Sequence, residues 1–219
     1  PPVPAAVSRR VSSVSATVAT VDPAVELSAD LAEDYVYADA PNRLVAFLLD
    51  ALLLSALVFI CAAALSAVFG PAVDIDLGAE ERVTLDTSLL AVDGFVATGV
   101  SLLFFLVGWL LFAGTPGQRL LGMRVLARDG GRLRLRQAAT RWLFVGAPPA
   151  LAGLAMLELG GTADSLVYLA VWAWYLVLFV SLALVPTKRG LHDRAAGSVV
   201  VKAVRPASWR DSEGHGRAG

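Results

Sequence analysis

The chain has 219 residues, of which 57% are hydrophobic and 17% charged, with a mean hydropathy of +0.67 and a formal net charge of -1. So large an apolar surplus exceeds what a soluble domain of this length buries, and lipid is the expected solvent for much of it. A single cysteine, Cys61, and two distant histidines, His192 and His215, exclude a disulfide framework and a Cys/His metal centre, so neither metal nor cofactor is expected.

Residues 1–40 read as a flexible cytoplasmic arm, rich in Pro, Ser, Ala and Val and then acidic from Asp30 to Asp39. Its alternation from Val14 to Val21 is compatible with a strand. The arm is too polar, and the apolar run after it too long, for a secretory signal. The first helix is therefore expected to act as an uncleaved insertion signal.

Four apolar stretches follow, each measured against the roughly 20 residues that cross about 30 Å of hydrocarbon. The first spans about 44–69, is interrupted only by Asp50 and stops at Gly70-Pro71. The second, about 89–113, has Asp93-Gly94 near its start and closes at Gly114-Thr115-Pro116. The third, about 143–159, is short and carries Pro148-Pro149, which predicts a kink whose freed carbonyls find partners inside the bundle. The fourth, about 166–185, holds no charge and ends at Pro186. The expected fold is an all-α membrane protein, a four-transmembrane-helix bundle over residues 41–204 with a short cytoplasmic β-ribbon, followed by a disordered tail over 205–219.

Basic residues orient the bundle, because short loops rich in Lys and Arg stay in the cytoplasm. Of the 18, three lie before or at the start of the first span, seven between the second and third, and seven after the fourth; only Arg82 falls in the opposite loop, among Asp74, Asp76, Glu80, Glu81 and Asp86. Both termini are thus expected in the cytoplasm, with the chain in the plasma or inner membrane. Trp109 and Trp142 fall at cytoplasmic ends of spans, where an amphipathic ring suits the interface. The Arg-rich face should attract anionic headgroups at about 1 kcal/mol per basic residue. No loop is long enough for a folded basic domain, so nucleic acid is not an expected partner.

Chemistry begins at Asn42-Arg43 and Asp50. Seven residues are two helical turns, so Arg43 and Asp50 share a face about 10 Å apart along the axis. Arg43 can stay among headgroups, whereas a carboxylate at position 50 costs about 2.5–3.5 kcal/mol unless it pairs, protonates or meets water. It is therefore an ion or ligand site or a polar lock between helices.

In Gly114-Thr115-Pro116-Gly117-Gln118-Arg119, Thr115 suits an N-cap, Pro116 the first helical position and Gln118 the capping box. Gly122 then closes a two-turn helix. Met123, Val125 and Ala127 alternate with Arg124, Leu126 and Arg128 up to a turn at Asp129-Gly130-Gly131, which reads as a strand whose natural partner is Ser198–Lys202. Leu135 to Arg141 should be helical and lead directly into the third span. In the tail, Leu191-His192-Asp193-Arg194 places a second acid among bases, with Arg43, Arg119 or Arg141 able to face Asp193 at the same membrane level.

These three ordered segments resemble the RDD family, named for one arginine and two aspartates. The resemblance covers Arg43 to about Lys202 and rests on Arg43 with Asp50 seven later, on Thr115-Pro-Gly-x-Arg-x-x-Gly-x-Arg-Val with its following Asp-Gly, and on Leu191-His-Asp-Arg-x-x-Gly. Ser198 stands where threonine is common and Gln118 where lysine is. The resemblance implies Arg43, Asp50 and Asp193 as the family's three residues, supported by Asn42, Arg119, Arg141, His192 and Arg194.

It further implies transport of ions or small ligands, of the cation/proton exchange type, with Asp50 as the intramembrane site and Arg43 governing its charge state. The alternative is a non-transporting scaffold or accessory subunit. Four spans make a small path, so a homo-oligomer is expected, with Gly146, Ala150 and Gly153 as small-residue contacts. No enzymatic activity is expected, since neither an activated nucleophile nor a phosphate-binding glycine pattern is present.

Overall fold

A computed structural model describes residues 35–76, 82–159, 162–185 and 188–203. The strand suggested within residues 14–21, most of the amino-terminal arm and the tail over 205–219 lie outside the described residues.

The chain runs β1 (Tyr35–Tyr37), α1 (Ala40–Phe69), a hairpin of β2 (Val73–Asp76) and β3 (Arg82–Leu85), α2 (Thr87–Phe112), α3 (Pro116–Leu120), β4 (Met123–Ala127), α4 (Leu135–Val145), α5 (Ala147–Leu159), α6 (Thr162–Ala183), α7 (Leu191–Ala196) and β5 (Ser198–Ala203). Pro41 sits in the first turn of α1, where its missing N–H would have had no partner. Asp86 caps α2, its Oδ1 accepting from the backbone N–H of Ser88 at 3.0 Å and of Leu89 at 3.1 Å.

Among the described residues three helices are long and apolar enough to cross a membrane: α1, α2 and the Asp164–Ala183 stretch of α6. Their outward surfaces carry Leu52, Phe59, Phe95, Leu103, Trp172 and Leu176, all exposed in the isolated chain. A helix apolar all round, with little of it covered by protein, belongs in hydrocarbon. At about 1.5 Å per residue α1 is roughly 45 Å long, so its first turns reach the headgroup level.

The third expected span is divided. α4 stops at Val145, Gly146 is its C-cap, and α5 restarts at Ala147 with Pro148 and Pro149 in its first turn. In an unbroken helix the N–H groups of residues 148 and 149 would bond the carbonyls of Phe144 and Val145; proline has none to give. Both carbonyls are satisfied from α6 instead, by Trp174 Nε1 at 2.8 Å and Tyr175 Oη at 2.8 Å. The 13 residues of α5 make a rod of only about 20 Å.

β5 lies between β1 and β4 in a three-stranded antiparallel sheet. Met123 to Ala127 pair with Lys202 to Ser198, the partnership expected from the alternation. β1 is an addition: Tyr35–Tyr37 pairs with Val201–Ala203, where the sequence suggested only the end of the arm. Three residues are too few to show a period, and their partner is over 160 residues away. Met123, Val125 and Val200 pack with Phe105, Trp109, Leu133 and Ala138. On the other face Leu126, Val199 and Val201 meet Tyr35 and Tyr37.

Trp109 corrects an expectation. It is 1% exposed and belongs to this core rather than to the interface, held by Phe105 and by Arg141 over its ring.

Candidate functional site

Two buried polar knots meet where α1, α3, α4 and α7 converge. The first is built on Asp193, which is fully buried in the first turn of α7. Arg43 Nη1 donates to its Oδ2 at 2.6 Å, and Arg141 Nη1, from α4, donates to its Oδ1. Arg141 Nη1 also reaches Ser198 Oγ at 2.8 Å, and its guanidinium lies 5.0 Å from the Trp109 ring centre. Arg43 uses its remaining reach on the backbone, with Nε to Ala38 O at 3.1 Å and Nη2 to Val200 O at 3.2 Å.

One carboxylate thus ties α1, α4 and the sheet to α7. Burial raises the Asp193 pKa, but the Arg141 and Arg43 guanidiniums overcome it and hold the group below the ordinary carboxylate range. Gly197 makes the turn from α7 into β5 at φ +62°, a conformation that costs glycine little. Ser198 is thereby delivered to Arg141.

The second knot holds Asp50, which is 4% exposed. Its Oδ2 accepts from Thr115 Oγ1, and its Oδ1 from the Gly117 backbone N–H at 2.7 Å. The orphan amide in the first turn of α3 is therefore capped by a carboxylate from another helix, with the end of the helix dipole favouring its negative charge. The expected capping box is present, with Gln118 Oε1 accepting the Thr115 N–H at 3.0 Å, and the Thr115 hydroxyl in addition donates to Asp50.

Gly117 is required by close approach. A Cβ there would run into the Ala46 carbonyl and come within 2.9 Å of Asp50 Oδ1. The Thr-Pro-Gly segment is the receptor for Asp50, a role the capping pattern alone did not reveal. The available signal was a proline and a glycine opening a short helix, which bares an amide with no side chain to shield it.

Arg43 and Asp50 both turn inward but serve different partners. Arg43, expected to act on Asp50, is engaged by Asp193, and no ion pair to Asp50 is recorded among the described residues. Arg141 and His192 join the Asp193 knot, with His192 Nε2 3.5 Å from Oδ1. Burial lowers the His192 pKa to about 4, the guanidiniums of Arg141 and Arg43 adding to this against the pull of Asp193.

Arg119 and Arg194 are exposed and stand outside the polar centre. Asn42 donates to Asp39 Oδ1 at 2.5 Å at the start of α1. Ser198, Thr115 and Gly117 complete the knots and were not singled out from the sequence as site residues. Gly146 is buried against Trp142 and Ser101 of the same chain, whereas Gly153 faces open space.

A cavity of about 340 Å³ adjoins both knots. Its polar lining is Arg43, Asp50, Gln118, Arg141 and His192, and Phe47, Leu48, Trp172, Leu176 and Phe179 form its apolar walls. Among the described residues no group of three His, Cys, Asp or Glu side chains could hold a metal.

The family model described as the RDD family matches residues 37–197, from the last residue of β1 to the glycine that ends α7. No curated protein and no solved structure matches the chain.

Proposed function

Because the chain belongs to the RDD family, and Asp50 borders a cavity with no basic partner recorded, we propose that it moves ions or small solutes across the membrane, exchanging a cation for a proton at Asp50. The observation that carries this reading is the company Asp50 keeps. Its donors, the Thr115 hydroxyl and the Gly117 amide, are neutral, so a proton or cation entering the cavity supplies the charge that no side chain does.

The segregation of Lys and Arg supports a plasma or inner membrane location with both termini, the sheet, α3 and α7 on the cytoplasmic side. The open space at Gly153 on α5 is compatible with close contact to a second copy. Such a copy would enlarge an otherwise small path, and the basic loops would hold anionic headgroups outside it.

The test is flux in reconstituted vesicles. Wild type should exchange sodium or another monovalent cation against an imposed proton gradient. Asp50→Asn should lower that exchange at least about tenfold while remaining monodisperse and helical. Absence of flux from folded wild type over a range of cations overturns the reading.

A second reading, a scaffold or accessory subunit, is favoured by one observation: both Asp50 oxygens already hold α3 to α1. It requires Asp50→Asn to lose stability with no flux to lose.

A further inference from the structure

The cavity beside the polar knots has the depth of one leaflet. Its lining on α6 runs from Leu182, near the carboxyl end, to Trp172. The ten helical steps between them cover about 15 Å, half of a hydrocarbon core of about 30 Å. Arg43 and His192 stand at its shallow end, and Arg43 lies in the first turn of α1. Of the lining residues, Leu44, Leu48, Trp172 and Leu176 are also exposed on the outer surface, which places the mouth sideways, between α1 and α6, toward acyl chains.

The shallow end carries surplus positive charge. Among the described residues Arg43 and Arg141 form ion pairs with one carboxylate, Asp193, which is fully buried and forms no part of the lining, while Asp39 acts on Arg43 at longer range. Two buried nitrogens of the lining residues, Arg141 Nε and His192 Nδ1, have no hydrogen-bond partner among the described residues. Buried Arg189, whose Nε donates to Ser198 O at 3.3 Å, adds a further positive charge nearby. Asp50, the one acid in the wall, lies about two turns deeper and is occupied by Thr115 and Gly117.

We propose that this slot holds one anionic phospholipid of the adjoining leaflet, its headgroup against Arg43 and Arg141 and one acyl chain along Leu48, Trp172 and Leu176. The volume falls at the lower end of ligand pockets, about 300–1,000 Å³, and a chain can leave through the open side into the bilayer. A lateral apolar mouth admits a lipid more readily than a dissolved anion. The site is distinct from the surface attraction of the Arg-rich loops, because its cations are buried and its walls are hydrocarbon.

The full chain in detergent, titrated with phospholipids brominated on their acyl chains, tests this through tryptophan quenching. Brominated phosphatidylglycerol should associate about fivefold more tightly than brominated phosphatidylcholine. That headgroup-selective quenching should fall by more than half in Trp172→Phe, which removes the more exposed of the two tryptophans on the slot wall, Trp172 and Trp109. Leu176→Trp narrows the mouth without touching an ion pair, and in native mass spectrometry it should lose the phosphatidylglycerol adduct that wild type retains. Equal quenching by the two lipids overturns the proposal, as does selective quenching that Trp172→Phe leaves undiminished. Displacement by soluble glycerol phosphate as effective as by the lipid also overturns it, and identifies an aqueous anion site instead.

Discussion

Arg43 and Asp193, 150 residues apart in the chain, meet at 2.6 Å with side chains 8% and 0% exposed. Removing one member of a buried ion group leaves the others charged and unpaired, and costs about 3–5 kcal/mol. Asp193→Asn is therefore expected to unfold the detergent-solubilised protein at markedly lower denaturant or temperature, since two arginines lose their common carboxylate. Asp193→Glu keeps the charge and should fall between the variant and wild type. A wild-type melting point in Asp193→Asn contradicts this account of the knot.

The seat of Asp50 predicts a different pattern. Gly117→Ala forces a Cβ against the Ala46 carbonyl and should cost about 1–3 kcal/mol by overpacking. Thr115→Val leaves one Asp50 oxygen without its donor and should cost about 1–3 kcal/mol. In a double-mutant cycle, Asp50→Asn and Thr115→Val should couple by about 0.5–3 kcal/mol, while Asp50→Asn and Asp193→Glu, which lie in separate knots, should come closer to additivity.

The break between α4 and α5 can be tested by restoring what proline removed. Trp174→Phe deletes the donor to Phe144 O and should cost about 0.6–2 kcal/mol, the range for hydrogen bonds between membrane helices. Pro148→Ala returns a backbone N–H at the position that would bond Phe144 O. Added to Trp174→Phe, it should recover more than half of the loss, read as thermal stability in detergent. No recovery means that Trp174 contributes packing alone.

His192 sets a pH dependence. In the unfolded chain an imidazole takes a proton as pH falls through about 6.5, but in the fold it resists until about 4. Its contribution is therefore fully present above 6.5 and lost progressively between 6.5 and 4, by on the order of 3 kcal/mol. Asp193, held below the ordinary carboxylate range, weakens the fold only at more acid pH. Wild type should lose melting temperature across pH 6.5 to 4.5, and His192→Gln should lose much less over the same window. Parallel slopes for the two proteins rule out His192 as the source.

Much of this arrangement was legible because it follows local rules. Apolar length located α1, α2 and α6, and alternation paired β4 with the tail. The two prolines announced orphan carbonyls, though the break came at Gly146, two residues before Pro148, since proline fits the first turn of a new helix. The three residues that the family resemblance singles out, Arg43, Asp50 and Asp193, all have buried side chains.

What stayed hidden was partner choice. Spacing put Arg43 and Asp50 on one face of α1, but a shared face does not decide which neighbours approach it. That depends on Gly117 admitting α3 so closely and on Gly197 swinging Ser198 toward Arg141. Arg119 and Arg194 carry the same charge as Arg141 yet project outward, and nothing in their immediate sequence distinguishes them.

Since β5 forms the middle of its sheet and α7 carries Asp193, the molecule is closed by the part of it that leaves the ribosome after every spanning helix. At roughly 5–20 residues per second, the 150 residues between Arg43 and its carboxylate correspond to on the order of ten to thirty seconds of synthesis. Throughout that interval the guanidinium of α1 lacks the carboxylate it holds in the finished fold, and the knot waits on a latch delivered last.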